Sequence, residues 1–205
     1  MKGQHLQHSN KPISILIVTK YCRFSEISPF GIDGIHRFPP NVAEMRQHVA
    51  RHFEDMLQCS IPAFEGLFPP EHDAIIRTLL FRLSEWHALA KLRLHSDDSL
   101  AQLDQALKKL SAQIRRFQQK TCEAFKTCEL PSEAAARHRR QQAQSESGRG
   151  PINPPSSGAR PKSFNILTYK FHALGDYTRS IQTFGTTDSY TTQVVSRLDT
   201  VMRCS

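Results

Sequence analysis

The side chains best suited to chemistry in this chain are cations. Arg137, His138, Arg139 and Arg140 form the densest basic run, with Arg149, Arg160 and Lys162 beyond it. Guanidinium groups fit phosphate oxygens, and a flexible arm carrying several can follow a nucleic-acid backbone without reading bases. The same run also reads as a solubilising linker or as a nuclear import signal. A second basic pair, Lys91 and Arg93, lies between His87 and His95, which are eight residues apart. One reading puts phosphate at this end of a helix. The simpler one half-buries His87 beside Trp86 and leaves the cations solvated. The face carrying Lys108, Lys109, Arg115, Arg116 and Lys120 is a third place for the same contact.

Other constellations are weaker. His48 and His52 share a helical face at a spacing that metal sites use, but no further ligand accompanies them, and Val49-Ala50-Arg51 lacks the Glu of a zinc-protease helix. Cys122 and Cys128, six apart, make neither a CxxC pair nor a shared helical face. Asp97-Asp98 reads as a helix start, and Asp176, Asp188 and Asp199 have no spacing that argues a site. Phe30-Gly31-Ile32-Asp33-Gly34 has two glycines but not the third of a dinucleotide fingerprint. No catalytic residue, metal ligand or cofactor is assigned, and the chain is read as a non-enzyme.

The totals agree with a basic, modestly packed protein. The chain has 205 residues, a net charge of +8 and a hydrophobic fraction of 39%. That fraction is below the usual 45–50% or so of folded domains, which implies a small core and some unpacked chain. The charge favours a polyanion, with DNA ahead of an anionic membrane surface. No stretch approaches the roughly 18 apolar residues of a membrane span, so no membrane partner is expected. Five cysteines without a secretory signal suggest reduced thiols in an intracellular compartment, nuclear if the basic run is an import signal.

These residues need elements to position them. Residues 13–19 are a strand candidate, and the prolines and glycines from Pro29 to Pro40 mark a loop. Asn41 can cap a helix whose apolar face is Val42, Met45, Val49, Phe53, Met56 and Leu57, with Pro62 ending it. Pro70 suits the first turn of a second helix bearing Ile75, Leu79, Leu80, Leu83, Trp86, Leu89, Ala90 and Leu94. Ser96 and Ser99 cap a third helix, from about Asp98 to Thr127, with Leu100, Leu103, Leu107, Leu110, Ile114, Phe117, Thr121 and Phe125 on one side. Trp86, Leu83, Leu79, Leu103, Leu107 and Phe117 are the expected core. Residues 133–144 can extend as a polar helix, 145–162 have linker composition, and order resumes at Phe164 with two short helices.

The expected fold class is therefore mainly α: a small helical bundle with a disordered basic linker and a short C-terminal helical segment. By region, 1–40 is a poorly ordered leader and loop, 41–130 the bundle core, 131–163 the basic linker, 164–193 a short ordered motif and 194–205 a tail.

Two segments carry a family resemblance. They are Trp86-His87-Ala88-Leu89-Ala90-Lys91-Leu92-Arg93-Leu94-His95 and Tyr169-Lys170-Phe171-His172-Ala173-Leu174-Gly175-Asp176-Tyr177, the latter followed by Phe184-Gly185-Thr186-Thr187-Asp188-Ser189-Tyr190. Together they resemble the C-terminal part of transposase-related proteins of mushroom-forming fungi, the Plavaka and KDZ-like elements. Phe53 to Leu67 and, less specifically, Arg23 to Gly31 resemble the same group, so the likeness runs from about residue 21 to about residue 193. It implies descent from enzymes that cut and join DNA with a carboxylate triad holding two metal ions. The look-alikes have an Asp-rich region upstream of the equivalent of Arg23 and a Glu-Leu-Glu-His-Arg-like segment after the Gly-Thr-Thr-Asp-Ser-Tyr pattern. Here there is a 22-residue leader, and Gln193-Val194-Val195-Ser196-Arg197-Leu198. The resemblance thus implies a truncated, catalytically inactive element-derived fragment with non-specific nucleic-acid affinity through Arg137, Arg139, Arg140, Lys91 and Arg93. The alternative is a helical protein-interaction or structural module whose partner the sequence does not identify.

Overall fold

Ser96 starts the helix on which the others are arranged. Its Oγ accepts from the Ser99 amide at 3.3 Å, and Ser99 Oγ accepts from the Ser96 amide at 2.9 Å. This reciprocal box satisfies two orphan donors, with Ser in place of the usual Glu or Gln. Asp97 and Asp98 add negative charge at the positive helix end.

The computed structural model describes residues 23–31, 34–40, 42, 50–146 and 158–187, with the side chains of 145 and 146 left aside. The strand expected at 13–19, the Asn41 cap, His48, Arg149 and the 194–205 tail lie outside these residues. Among the described residues there are six α-helices: α1 (Ala50–Phe64), α2 (Pro70–Ala90), α3 (Asp97–Arg116), α4 (Pro131–Glu146), α5 (Tyr169–His172) and α6 (Tyr177–Phe184). A π-helical turn, Phe117–Cys122, extends α3, and β1 (Thr127–Cys128) pairs antiparallel with β2 (Pro161–Lys162). The chain is mainly α, as its periodicities imply.

The main core lies where α2 and α3 meet. Trp86, Ala90, Leu100, Leu103, Ala106, Leu110 and Ile114 are buried there together with Ile181 of α6. Gln113 is buried too, and its Nε2 donates to Ile75 O at 3.0 Å, whereas the buried Trp86 Nε1 has no hydrogen-bond partner among the described residues. The C-terminal segment folds back over the pair. Tyr177 meets the Trp86 ring edge-on at 4.9 Å, Phe164 meets Phe117 at 5.4 Å and Phe171 at 5.7 Å, and Thr187 Oγ1 donates to Ala90 O at 3.1 Å. Residues 86–90 and 164–187 are therefore packed against each other.

A second cluster joins α1 to the preceding chain. Phe24, Phe38 and Val42 are buried against Cys59 and Ala63. Asp55, 1% exposed, sits beside it. Its Oδ2 accepts from the His36 amide at 3.3 Å and lies 2.7 Å from His36 Nδ1, while Arg51 Nε is 3.4 Å from Oδ1. A carboxylate only accepts, so His36 carries its proton on Nδ1. Arg51 also donates to Gly34 O at 3.0 Å, and the loop at 34–36 is held to α1 by these contacts.

Several expectations need correction. Pro62 does not end α1, because the helix runs on to Phe64. Pro62 is exposed and removes one amide donor, but the Glu65 amide still bonds Ile61 O at 3.1 Å and Ala63 is buried in the second cluster. Gly66, at φ +69°, ends the turn, and its amide donates to Asp73 Oδ1 at 2.8 Å. The buried line of α1 is Asp55, Cys59 and Ala63, and Phe53 is 57% exposed, so the apolar face expected through Phe53 is rotated. α2 stops at Ala90, which leaves Leu94 85% exposed outside the stripe. Trp86 and Leu103 are buried as expected, whereas Leu79, Leu83, Leu107 and Phe117 are half-buried. Residues 158–162 of the expected linker are tied into structure by β2; residues 147–157 lie outside the described set.

Replacing Trp86 by Ala is expected to cost about 3–5 kcal/mol through lost burial and cavity formation. In a thermal-unfolding double-mutant cycle, Trp86→Ala and Tyr177→Ala should show a coupling of about 0.5–1.5 kcal/mol, the value typical of aromatic pairs. Strict additivity would mean the C-terminal segment does not dock on α2 in solution.

Candidate nucleic-acid interface

A cation already held by a carboxylate has little left to offer a phosphate. Ala134-Ala135-Ala136 favours the helix that carries the densest basic run, and Glu133 Oε2 closes its first turn by accepting from the Leu130 amide at 2.9 Å. One turn on, Arg137 reaches back to Glu129, with Nη2 at 3.0 Å and Nε at 3.2 Å from Oε2. Arg137 Nη2 also donates to Gly158 O at 3.1 Å, and Glu129 Oε2 accepts from the Arg160 amide at 3.2 Å. Both side chains of the pair are only 12% exposed. Lys162 Nζ is bonded to Glu133 Oε1 in the same place. Arg137 is thus a clamp that joins α4 to the β ribbon. Its hydrogen bond holds the Glu129 carboxyl below its ordinary value against an opposing push from burial, with help from the Arg160 amide. The Lys162 and Leu130 bonds lower Glu133 in the same way.

Lys91 is engaged as well. Its Nζ lies 3.0 Å from Glu54 Oε1, and His87 Nε2 lies 4.0 Å from the same oxygen. Burial pushes the His87 pKa down, Glu54 opposes that and Lys91 adds to it. These three side chains link α1 to the last turn of α2. Arg93 is exposed just past the end of α2, and Arg139 and Arg140 are exposed on α4.

The five expected contact residues therefore fall into different settings. Arg137 and Lys91 are paired within the fold; Arg139 and Arg140 are exposed on α4, and Arg93 is exposed at a separate place past the end of α2. The face of α3 opposite the core is more uniform. Lys108, Lys109, Arg115, Arg116 and, in the π-helical turn, Lys120 are all exposed, and no salt bridge within 4.0 Å involves them among the described residues. At about 100° per residue, the first four fall within an arc of about 120° and about 12 Å of helix. No acidic residue occurs between Asp104 and Glu123. That unbroken single-sign interval is the sequence signal that should have ranked this face above Arg137, because an acid near a cation in sequence is its readiest partner.

Among the described residues, no group of three or more His, Cys, Asp or Glu is placed to hold a metal ion, and no helix is long and apolar enough to cross a membrane. His52 is half-buried, Asp176 is exposed at the start of α6, and Asp188 and Asp199 lie outside the described residues. Cys59, Cys122 and Cys128 are free thiols, and burial raises the pKa of Cys59 and Cys122. Comparison with protein-family models, curated proteins and solved structures finds no match to this chain.

The clamp has a pH signature. Glu129 and Glu133 titrate lower when folded than the reference value of 4.5, so their contribution is fully present above that pH. It is lost as pH falls through the lowered folded values, once the carboxyls protonate. Hydrogen exchange at the Glu129 amide, bonded to Arg160 O at 2.8 Å, should accelerate in that acid range relative to the α3 core amides. Arg137→Gln should produce the same acceleration at neutral pH. Unchanged protection in the variant would refute the clamp.

Proposed function

We propose that this chain is a transposable-element-derived helical module without catalysis of its own, holding nucleic acid through phosphate contacts with little sequence preference. The observation that carries the reading is the basic face of α3: five exposed cations on a rigid helix, opposite the core, with no acid in the interval. A preformed array suits a polyanion better than a mobile arm does, because less ordering entropy opposes binding. Arg139, Arg140 and Arg93 are outlying contacts. The packing of the 169–177 segment on Trp86 supports treating the two segments of transposase likeness as one folded unit.

The second reading is a protein-interaction module. It is favoured by large apolar side chains on the surface: Leu94 is 85% exposed, Tyr169 82%, Leu167 77% and Phe184 72%. A salt titration with random-sequence duplex DNA separates the two. Phosphate contact predicts a steep loss of affinity with salt, about 0.9 log units per log unit of salt for each contact. Changing Lys108, Lys109, Arg115, Arg116 and Lys120 together to Gln should flatten that slope by up to about 4.5 units. Helical content should hold, since Gln is a fair helix former. Arg137→Gln should leave the slope nearly unchanged. No binding even at low salt would favour the interaction module, and magnesium- or manganese-dependent strand cleavage by the purified chain would overturn the non-enzyme reading.

A further inference from the structure

The cations of α3 are not spread evenly over its exposed face. At about 100° per residue, Ala112 lies at the middle of that face. Arg116 and Lys109 fall about 40° and 60° to one side of it, and Lys108 and Arg115 about 40° and 60° to the other. Ala101 and Gln105 lie within about 20° of the central line. All of these residues are exposed. Two basic rows thus flank a strip of small or uncharged side chains. On the far side Leu103, Leu110 and Ile114 are buried in the main core, which fixes the roll of the helix.

Acid is confined to the other end of α3. Asp97 and Asp98 are in its first turn, and Asp104, at the edge of the exposed face, accepts from Thr178 Oγ1 of α6. From Gln105 to Arg116, about three turns, there is no carboxylate.

This pattern selects among polyanions. A helix with its side chains is about 10–12 Å across, and the major groove of B-form DNA is about 12 Å wide. Phosphates run along both walls of that groove, so each basic row faces one wall and the central strip faces the floor. The deep, narrow major groove of A-form RNA does not admit a helix. A single strand has one line of phosphates, and its bases call for aromatic platforms. The exposed face of α3 carries no aromatic side chain.

We propose that the last three turns of α3 lie in the major groove of duplex DNA, with Lys109 and Arg116 on one phosphate wall, Lys108 and Arg115 on the other, and Ala112 at the floor. The placement rests on the phosphate-contact reading above and adds to it the strandedness and the groove. It also accounts for weak sequence preference, because an alanine offers base edges no hydrogen bond. Gln105 is the side chain on the central strip that has hydrogen bonds to offer.

The test uses the full chain at one fixed salt concentration, since affinity depends on salt. A random-sequence DNA duplex should bind about ten-fold more tightly than the RNA duplex or the single strand of the same sequence. DNA whose cytosines carry glucosylated hydroxymethyl groups, which fill the major groove, should bind about ten-fold more weakly than the plain duplex. Netropsin, which occupies the minor groove, should displace nothing. Ala112→Leu is a neutral change at an exposed position, so the melting midpoint should hold while duplex affinity falls about five-fold, the helix being kept off the floor. Lys108→Gln with Arg115→Gln, and Lys109→Gln with Arg116→Gln, should each flatten the salt slope by up to about 1.8 units.

Equal affinity for plain and glucosylated duplex would overturn the groove placement and leave phosphate contact standing, as would equal affinity for the RNA duplex, displacement by netropsin, or one row carrying the whole change in slope. Displacement of the duplex by polyglutamate at equal charge would overturn it too and assign the face to an acidic protein. No binding to any nucleic acid at low salt would remove both the placement and the reading beneath it.

Discussion

Everything in the main core depends on covering one indole. Trp86 is buried in the seam between α2 and α3, where Tyr177 packs edge-on against its ring and Ile181 joins the same cluster. The contact joins residues about ninety positions apart, and it determines where the intervening chain must go. The π-helical turn, the β ribbon and α4 all lie on the path that leaves α3 and returns at Phe164. Phe117 and Phe171, each edge-on to Phe164, continue the same aromatic seam toward the ribbon. A single hydrophobic requirement thus organises an otherwise polar, basic chain.

The second cluster is secured differently. Its apolar set is small, and a buried carboxylate carries part of the specification. Asp55 fixes the position of the 34–36 loop through His36 while Arg51 reaches the same carboxylate and Gly34 O. Desolvating Asp55 offsets much of what its pairs return to stability, the more so because its buried Oδ1 has no hydrogen-bond partner among the described residues. The Arg137–Glu129 pair follows the same logic at the ribbon. There it makes a two-residue strand pair, too short to persist by itself, part of a wider contact.

Where periodicity was strong, the sequence was legible. The α3 stripe from Leu100 to Ile114, the Ser96 cap and the Pro70 start are local signals that appear in the fold, whereas beyond Arg116 the α-helix expected to reach Thr127 gives way to a π-helical turn. What failed was non-local. Pro62 carries a local stop signal, but Ala63 is buried against Phe24 and Phe38, and that tertiary contact wins. Phe53 fits the periodic face of α1, yet the chain before α1 packs along Asp55, Cys59 and Ala63 instead. The basic run at 137–140 stood out by density, but density does not reveal that Glu129, eight residues earlier than Arg137, turns back to meet it. The cleft that Phe64, Phe68, Phe117, Phe125 and Phe164 line was illegible for the same reason, since its rings come from separate stretches of chain.

The late return of residues 164–184 also has a consequence for biogenesis. A chain emerging at about 5–20 residues per second exposes the start of α3 roughly eighty residues, or about 4–16 s, before Tyr177 follows it. Helices α2 and α3 can pair in that interval, because their contacts are local. Their product is a hairpin with an uncovered tryptophan. Until the last segment arrives, that surface is available to any apolar partner, including another nascent copy from the same message. Residues 164–187 therefore serve as an internal cover, and the interval before they dock is when the protein is most open to aggregation or chaperone capture.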